Sequence, residues 1–334
     1  MATTKVRIHG EKGEILIDPD ASNIEIVERK FRGHPDSLAD QAAQRFTQLY
    51  IKKSWETFPE LENRLFPNFS ADKVTLCGAS TKWELGKYQV LKPVQALLIG
   101  KITQKIGDIS IDIDGIFESA LRETFERCLG NPEVMKHVDR HIFGVNQAGS
   151  DHDPAFYSPK SVVSLKEILS RETHANDTVY VVAYAPLSIT ERLSIYLDNV
   201  TADMEFGKAF HQIGSDIKAM IRRRSTDFDI TMCLPVLPER VDSPDTYDAV
   251  IKAATEYLLS KVSSYLGFQY GAVPFSVSLS VNTKDKSDKK YYAVWGTSLS
   301  KGDIGAVGRG NRQQGFISGL RPSTNEAFSG KNPN

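Results

Sequence analysis

Two stretches of this chain combine residue types that could manage a polyphosphate. In Gly33-His34-Pro35-Asp36, proline suits the first position of a helix, so His34 and Asp36 fall at its amide-rich, positive end. Anions are favoured there because the first backbone N–H groups have no partner within the helix. Asp40 follows on the same helical face, four residues on. A carboxylate beside an anion site is useful when a magnesium ion bridges it to phosphate oxygens. The plainer account of the same residues is an aspartate near a helix start beside a surface histidine. The second stretch is C-terminal: Asp303, Gly305, Gly308-Arg309-Gly310-Asn311-Arg312, Gly315, Arg321, then Ser329-Gly330-Lys331. Glycine lets backbone amides approach a ligand closely, arginine offers a planar fork to phosphate oxygens, and lysine adds a compact charge. It is not a Walker A loop, since Gly330-Lys331 runs into Asn332 and no glycine stands at the upstream position. A basic loop that meets RNA is the competing reading.

Weaker signals lie between them. Ala175-Asn176-Asp177-Thr178 precedes a strand-like run, and its Asn-Asp pair also fits plain turn chemistry. Gln147-Ala148-Gly149-Ser150-Asp151-His152-Asp153 is a polar, glycine-containing turn. Its adjacent His and Asp residues are a poor metal set, because sequence neighbours rarely ligate one ion. Asp216-Ile217-Lys218 reads by default as a surface charge pair, and Arg222-Arg223-Arg224 as a solvated helix end.

These residues must be positioned by alternating helices and strands. Leu38, Ala42, Phe46 and Tyr50 recur every four residues and predict a helix over 35–55. Ile116, Phe117, Ala120, Leu121, Phe125 and Cys128 predict a second, stopped by Gly130, Asn131 and Pro132. Residues 250–265 predict a third, with Gly267 placed to end it. Short runs rich in Val, Ile, Tyr and Phe predict strands at 74–76, 178–185, 229–234, 275–281 and 291–295. Strands outnumber helices and no strand–glycine-loop–helix series recurs, which points to an α+β fold with helices on one face of mixed sheets. No internal repeat is evident. Lys284–Lys290 reads as a solvated hairpin tip, and the segment from Lys301 onward shows almost no helical or strand period.

Bulk properties narrow the function classes. The formal net charge of −1 supplies no field for nucleic acid or an acidic membrane. No stretch approaches the roughly 18 apolar residues of a membrane span. The three cysteines, Cys77, Cys128 and Cys233, are scattered, which fits a reducing compartment and a cytoplasmic location.

Taken in order, the motifs resemble archaeal-type S-adenosylmethionine synthetases. Val27-Glu28-Arg29-Lys30 running into Gly33-His34-Pro35-Asp36 is similar to that family's opening motif. Ala175-Asn176-Asp177-Thr178 with Tyr184-Ala185-Pro186-Leu187-Ser188 resembles its central motif. Asp303-Ile304-Gly305-Ala306-Val307-Gly308-Arg309-Gly310-Asn311-Arg312 and Gly330-Lys331-Asn332-Pro333 resemble its most distinctive signature. The resemblance implies three related α+β domains, at about 1–155, 156–288 and 289–334, with the last one incomplete. It also implies a homodimer with active sites at the interface, ATP and methionine as substrates, and magnesium with potassium.

Residue roles follow from the resemblance alone. His34 would lie near the ATP phosphates and the reacting centre, with Arg309 and Lys331 beside it as catalytic cations. Asp36 and Asp303 would be magnesium-linked carboxylates, and Glu28 would belong to the same site. Asp177 would bind the methionine amino group or the nucleoside. Asp216, Lys218 and Arg312 would help hold the polyphosphate, while Gln147 and Ser150 would lie on the methionine side. The stretch Cys77-Gly78-Ala79-Ser80-Thr81-Lys82-Trp83-Glu84-Leu85-Gly86 departs from the family, which is small and glycine-rich there. That leaves a related thioether as an alternative substrate and a nucleotide-binding regulatory paralogue as an alternative role.

Overall fold

Alternating burial along the strands and a single apolar stripe on each long helix build two sheets, each covered by helices on one face. The computed structural model describes residues 20, 22–62, 64–129, 132–143, 157–170, 186–283, 297, 299 and 304–311. In chain order the first elements are β1 (Ile24–Lys30), α1 (Pro35–Thr57), β2 (Phe69–Cys77), β3 (Ser80–Glu84), β4 (Lys87–Lys92) and β5 (Val94–Ile102). Then come β6 (Lys105–Ile106), β7 (Ile109–Ser110), α2 (Ile113–Leu129), β8 (Val138–Phe143), α3 (Val162–Ser170), α4 (Ile189–Ala202) and α5 (Met204–Ala209). The last are β9 (Lys218–Arg224), β10 (Asp227–Cys233), α6 (Pro244–Tyr270), β11 (Ser276–Val281) and β12 (Ile304–Asn311).

The two four-stranded sheets share one wiring. In the first, ordered β12-β2-β5-β8, β2 and β5 pair antiparallel and α2 crosses over to β8, parallel to β5. In the second, ordered β1-β9-β10-β11, β9 and β10 pair antiparallel and α6 crosses over to β11, parallel to β10. Each sheet takes one more antiparallel strand from a distant part of the chain: β12 lies on β2, and β1 lies on β9. No repeat is legible in the sequence, yet the wiring repeats. The expected α+β architecture with one-sided helices is what the structure has.

Each unit has its own core. Leu38, Phe46, Tyr50, Phe69, Phe117 and Leu121 are fully buried between α1, α2 and the first sheet. Phe31, Leu193, Ile221, Phe228, Leu258 and Leu266 fill the second. Each such side chain stabilises the fold by roughly 1.5–3 kcal/mol through loss of apolar surface to water. The four-residue spacing in α1 thus reports a buried face, as read from the sequence.

Three expectations are corrected. Gly267 does not end its helix: α6 runs on to Tyr270, and Gly271, at φ 58°, caps it instead. Gly267 sits in open space on the helix. The segment after Lys301 is not without regular structure, since 304–311 pair with β2. Pairing to a neighbouring strand, rather than side-chain alternation, makes it a strand. Arg222-Arg223-Arg224 is no helix end but part of β9, where alternate residues face opposite sides.

That parity buries the middle arginine, at 3% exposure. Arg223 Nη2 donates to Glu25 Oε2 of β1 at 3.2 Å, and its Nε donates to Thr190 Oγ1 of α4 at 3.0 Å. Ser188 Oγ donates to the other Glu25 oxygen at 2.6 Å while capping α4 by accepting from Glu191 N at 3.1 Å. The network ties β1, β9 and the start of α4 together. Burial acts to raise the Glu25 pKa, but hydrogen bonds from Ser188, Thr190 and Arg223 outweigh it and hold the carboxyl below the usual glutamate value.

Removing the arginine leaves a partly buried carboxylate uncompensated, so Arg223→Met lowers the unfolding free energy by about 3 kcal/mol in urea titrations at pH 7. The pH dependence has a definite sign. Glu25 titrates lower in the folded chain than unfolded, so its stabilisation is complete above the ordinary value of 4.5 and is lost as pH falls through the depressed native value. The stability gap between the native chain and Glu25→Gln therefore narrows on acidification below that value. A gap independent of pH would refute the ion-pair account.

Candidate active site

The first turn of α1 is where distant segments meet. His34 caps the helix with extended φ and ψ of −66° and 143°, and Pro35 follows at the first helical position. The His34 side chain performs the capping: its Nδ1 accepts from the Asp36 backbone N–H at 3.1 Å. The sequence reading of Pro35 as a helix opener holds, but the surface-histidine alternative does not, because His34 is 3% exposed.

Two glycines allow the approach. Gly33 N–H donates to the Ser215 carbonyl at 3.2 Å, and Phe31 N–H donates to the Ile217 carbonyl at 2.9 Å. This lays the lead-in to β9 against the residues before α1. A side-chain carbon at Gly33 would overlap Ser215, backbone and hydroxyl alike. On the other side β12 crosses the helix start, and a side-chain carbon at Gly305 would overlap the Pro35 carbonyl and crowd the Asp36 nitrogen. Glycine is required at both positions for close backbone contact.

Charges gather around the turn. Lys30 Nζ contacts Asp36 Oδ2 at 2.8 Å. Lys30 and Lys218 are direct partners in the β1–β9 register, and Lys218 is opposite Cys233 of β10. Glu28 is exposed on the same face of β1 as Lys30, two residues before it. Asp216 is fully buried and accepts from Thr297 Oγ1 at 3.3 Å, so it is not half of a surface pair. Burial lowers the His34 pKa below the usual histidine value. Asp216 opposes that shift, Lys218 and Lys30 add to it, and Asp36 opposes it. The imidazole is therefore neutral at neutral pH. With Nδ1 accepting from Asp36, its proton resides on Nε2, which makes His34 a neutral hydrogen-bond donor.

The turn thus brings together His34, Asp36, Asp216 and Lys218 of the expected site residues, with Glu28 on the same strand face as Lys30. Arg309 belongs to β12, opposite Ala71 and after an irregularity in register. Gln147, Ser150, Asp177, Asp303, Arg312 and Lys331 lie outside the described residues, as do the expected strands at 178–185 and 291–295 and the charge run 284–290. Sequence reasoning gave no role to Lys30, Ser215 or Thr297. Lys30 could have been found from strand parity, two residues after Glu28; Ser215 and Thr297 carry no local signal.

An anionic ligand fits this arrangement: the positive end of a helix dipole, two lysines, and a neutral donor imidazole. Among the described residues no three of His, Cys, Asp and Glu gather into a complete metal cage. Asp36 supplies one hard oxygen donor, and Asp303 stands two residues before Gly305, whose backbone touches Pro35. A single carboxylate suits a dication that keeps its waters and shares phosphate oxygens. Among the described residues no helix is long and apolar enough to cross a membrane.

Comparison with known proteins sharpens the reading. A family model for S-adenosylmethionine synthetase (AdoMet synthetase) matches residues 14–334. The S-adenosylmethionine synthase of Aeropyrum pernix is 32% identical over 320 residues, covering 93% of this chain and 72% of that protein. That of Methanothrix thermoacetophila is 31% identical over 314 residues, covering 94% of this chain and 73% of that one. An uncharacterized protein of Streptococcus pyogenes serotype M1 is 28% identical over 320 residues, with 94% and 74% covered. The solved structure of an unusual S-adenosylmethionine synthetase from Campylobacter jejuni is 14% identical at a TM-score of 0.44, covering 85% of this chain and 62% of that one.

The close contact at α1 yields a contrast between two glycines. Gly305→Ala must push β12 off the helix start, lowering stability by about 1–3 kcal/mol and speeding amide exchange in 304–311. Gly267→Ala fills open space within α6 and stabilises by up to about 1 kcal/mol. Equal effects of the two substitutions in thermal unfolding would contradict the packing described at Pro35.

Proposed function

The chain belongs to the S-adenosylmethionine synthetase family, and from that premise we infer that it is a methionine adenosyltransferase, forming S-adenosylmethionine from ATP and L-methionine. The observation that carries the reading is the meeting of three motif blocks at one helix start: Gly33–Asp36, Asp216–Lys218 and the β12 strand at Gly305. The methionine sulfur attacks C5′ of ATP; the S–C5′ bond forms as the C5′–oxygen bond breaks, and triphosphate departs with the electron pair. Water then splits it into pyrophosphate and phosphate. A thioether is a neutral nucleophile, so no base need deprotonate it. What the reaction needs is in-line placement and stabilisation of the departing charge.

The residues suit those needs. Lys30, Lys218, Arg309, Arg312 and Lys331 supply positive charge for the polyphosphate, with Arg309 and Lys331 acting on the departing group. His34, neutral and protonated on Nε2, donates a hydrogen bond where charge develops. Asp216 and Glu28 complete the nucleotide side, and Asp177, Gln147 and Ser150 the methionine side; for those three the support is the family motif alone. Asp36 and Asp303 would hold magnesium, which neutralises phosphate oxygens when bound. Potassium is assigned on the family resemblance.

A homodimer is supported by apolar residues exposed on the sheet faces among the described residues. Ile24 and Ile26 are 59% and 62% exposed on one, Phe143 and Ile304 51% and 57% on the other. Glu28 and Lys30 share the open face of β1 with those isoleucines, so a second copy placed there would border the site. A cytoplasmic location accords with cysteines that are all free thiols.

The deciding measurement is mass-spectrometric product analysis after incubation with ATP, methionine, magnesium and potassium. S-adenosylmethionine with pyrophosphate and phosphate is expected; its absence while ATP still binds would overturn the assignment in favour of another thioether or a regulatory role. His34→Asn keeps a capping side chain and should lower kcat by about a hundredfold with little change in ATP affinity. Arg309→Ala should remove turnover while the thermal transition stays in place.

A further inference from the structure

The hairpin β3–β4 leaves the end of β2, where Cys77 pairs with Ile304, and reaches across to the second unit. Its tip is fixed there. Gly86 N–H is shared between the carbonyls of Pro238, at 2.7 Å, and Val241, at 2.8 Å. The tip turns on Leu85-Gly86, and Gly86 holds φ of +89°, a value that side-chain-bearing residues rarely adopt. Trp83 and Leu85 pack on a small apolar cluster of Val236, Val241 and Tyr247. That cluster adjoins the second core through Ile251 of α6.

The segment gripped by the tip is wired to the site. Val236 forms an antiparallel bridge with Ile213. Gly214 N–H donates to the Pro235 carbonyl and Leu237 N–H to the Gln212 carbonyl, each at 2.8 Å. The next residues, Ser215 and Ile217, are those whose carbonyls take the Gly33 and Phe31 amides. A line of backbone hydrogen bonds thus runs from the hairpin tip, through 234–238 and 212–217, to the cap of α1. The second core also holds this segment, through buried Ile217 and the packing of Ile213, so the hairpin tip acts on 212–217 from the opposite end, through 234–238.

We propose that Trp83 and Gly86 are positioning residues: the hairpin tip holds 234–238 in place and thereby sets Asp216 and His34 in register at the site. The placement rests on the methionine adenosyltransferase reading for its catalytic consequence, but not for the structural coupling. The cluster under Trp83 is small, so its loss loosens a local region rather than unfolding the chain. A site that works by placement is sensitive to such loosening, because a displacement of about 1 Å can cost on the order of a hundredfold in rate.

The test uses the full chain with Trp83→Ala, Trp83→Phe and Gly86→Ala, read by hydrogen exchange and by steady-state kinetics. Trp83→Ala should speed amide exchange in 31–36 and 213–217 by about tenfold or more, with exchange in α2 unchanged. It should lower kcat by about tenfold while KM for ATP moves far less, and Trp83→Phe should restore both readouts. Gly86→Ala keeps the apolar packing but strains the turn, so it should act in the same direction and decides the matter if Trp83→Ala fails to fold. The proposal is overturned if exchange rises at 85–87 alone and stays native in 31–36 and 213–217. If the native chain makes no S-adenosylmethionine, the functional assignment fails by itself, and the exchange pattern still decides the coupling.

Discussion

The contact on which the rest depends is backbone against backbone at the first turn of α1: Gly33 on Ser215, and Gly305 on Pro35. Neither contact tolerates a side-chain carbon, and both lie at the point where the chain passes from one unit to the other. β1 completes the second sheet, and five residues later α1 enters the core of the first. β12 returns from the far end of the chain to close the first sheet over the same turn. Three segments far apart in the chain are thereby held within hydrogen-bonding or van der Waals distance. Helix capping, sheet completion and site assembly are consequences of one packing event.

Electrostatics then act on a geometry already fixed. His34 is kept neutral because burial penalises its charged form, with the neighbouring lysines adding to that effect and two aspartates opposing it. A charged imidazole at this helix start would repel Lys30 and Lys218 and oppose the helix dipole. The neutral form instead accepts from the helix and keeps a donor for a ligand. The same economy shows in β9, where parity separates Arg223, buried in an ion pair with Glu25, from Arg222 and Arg224, left in water. One basic run serves two purposes because a strand turns alternate residues to opposite sides.

This explains what the sequence could and could not reveal. Helix α1 was legible from Pro35 and a four-residue apolar spacing, since both signals are local and burial rewards them directly. So was α2. The arginine run was misread because charge clusters usually mark solvated surface, and nothing local announces a partner as distant as Glu25. Gly267 was misread as a stop because glycine ends helices only where the next residues cannot continue the apolar face; here Tyr270 still packs near Phe228 and Phe275. β12 was missed because its strand character comes from β2, not from its own residues. For the site, residue types and their order were informative, whereas the burial of His34 and Asp216 and the roles of Lys30, Ser215 and Thr297 depend on tertiary contacts.

Why the fold should invest so much in placement follows from the chemistry assigned to it. An enzyme that must generate a nucleophile needs a group with a tuned pKa at the reacting atom, and small shifts in backbone position can be absorbed by that group. A thioether needs no such activation, so nearly all of the barrier reduction must come from alignment and from cations set in advance. Preset charges are effective only if they do not relax toward one another. Two adjacent strands set Lys30 and Lys218, the start of α1 holds the imidazole, Thr297 holds the buried Asp216, and Lys30 is already paired with Asp36. Exchanged strands supply that restraint: neither β1 nor β12 can shift without disturbing a sheet whose remaining strands lie elsewhere in the chain. The interlaced topology is therefore the physical means by which a site with little reactive chemistry of its own keeps its charges where a departing triphosphate needs them.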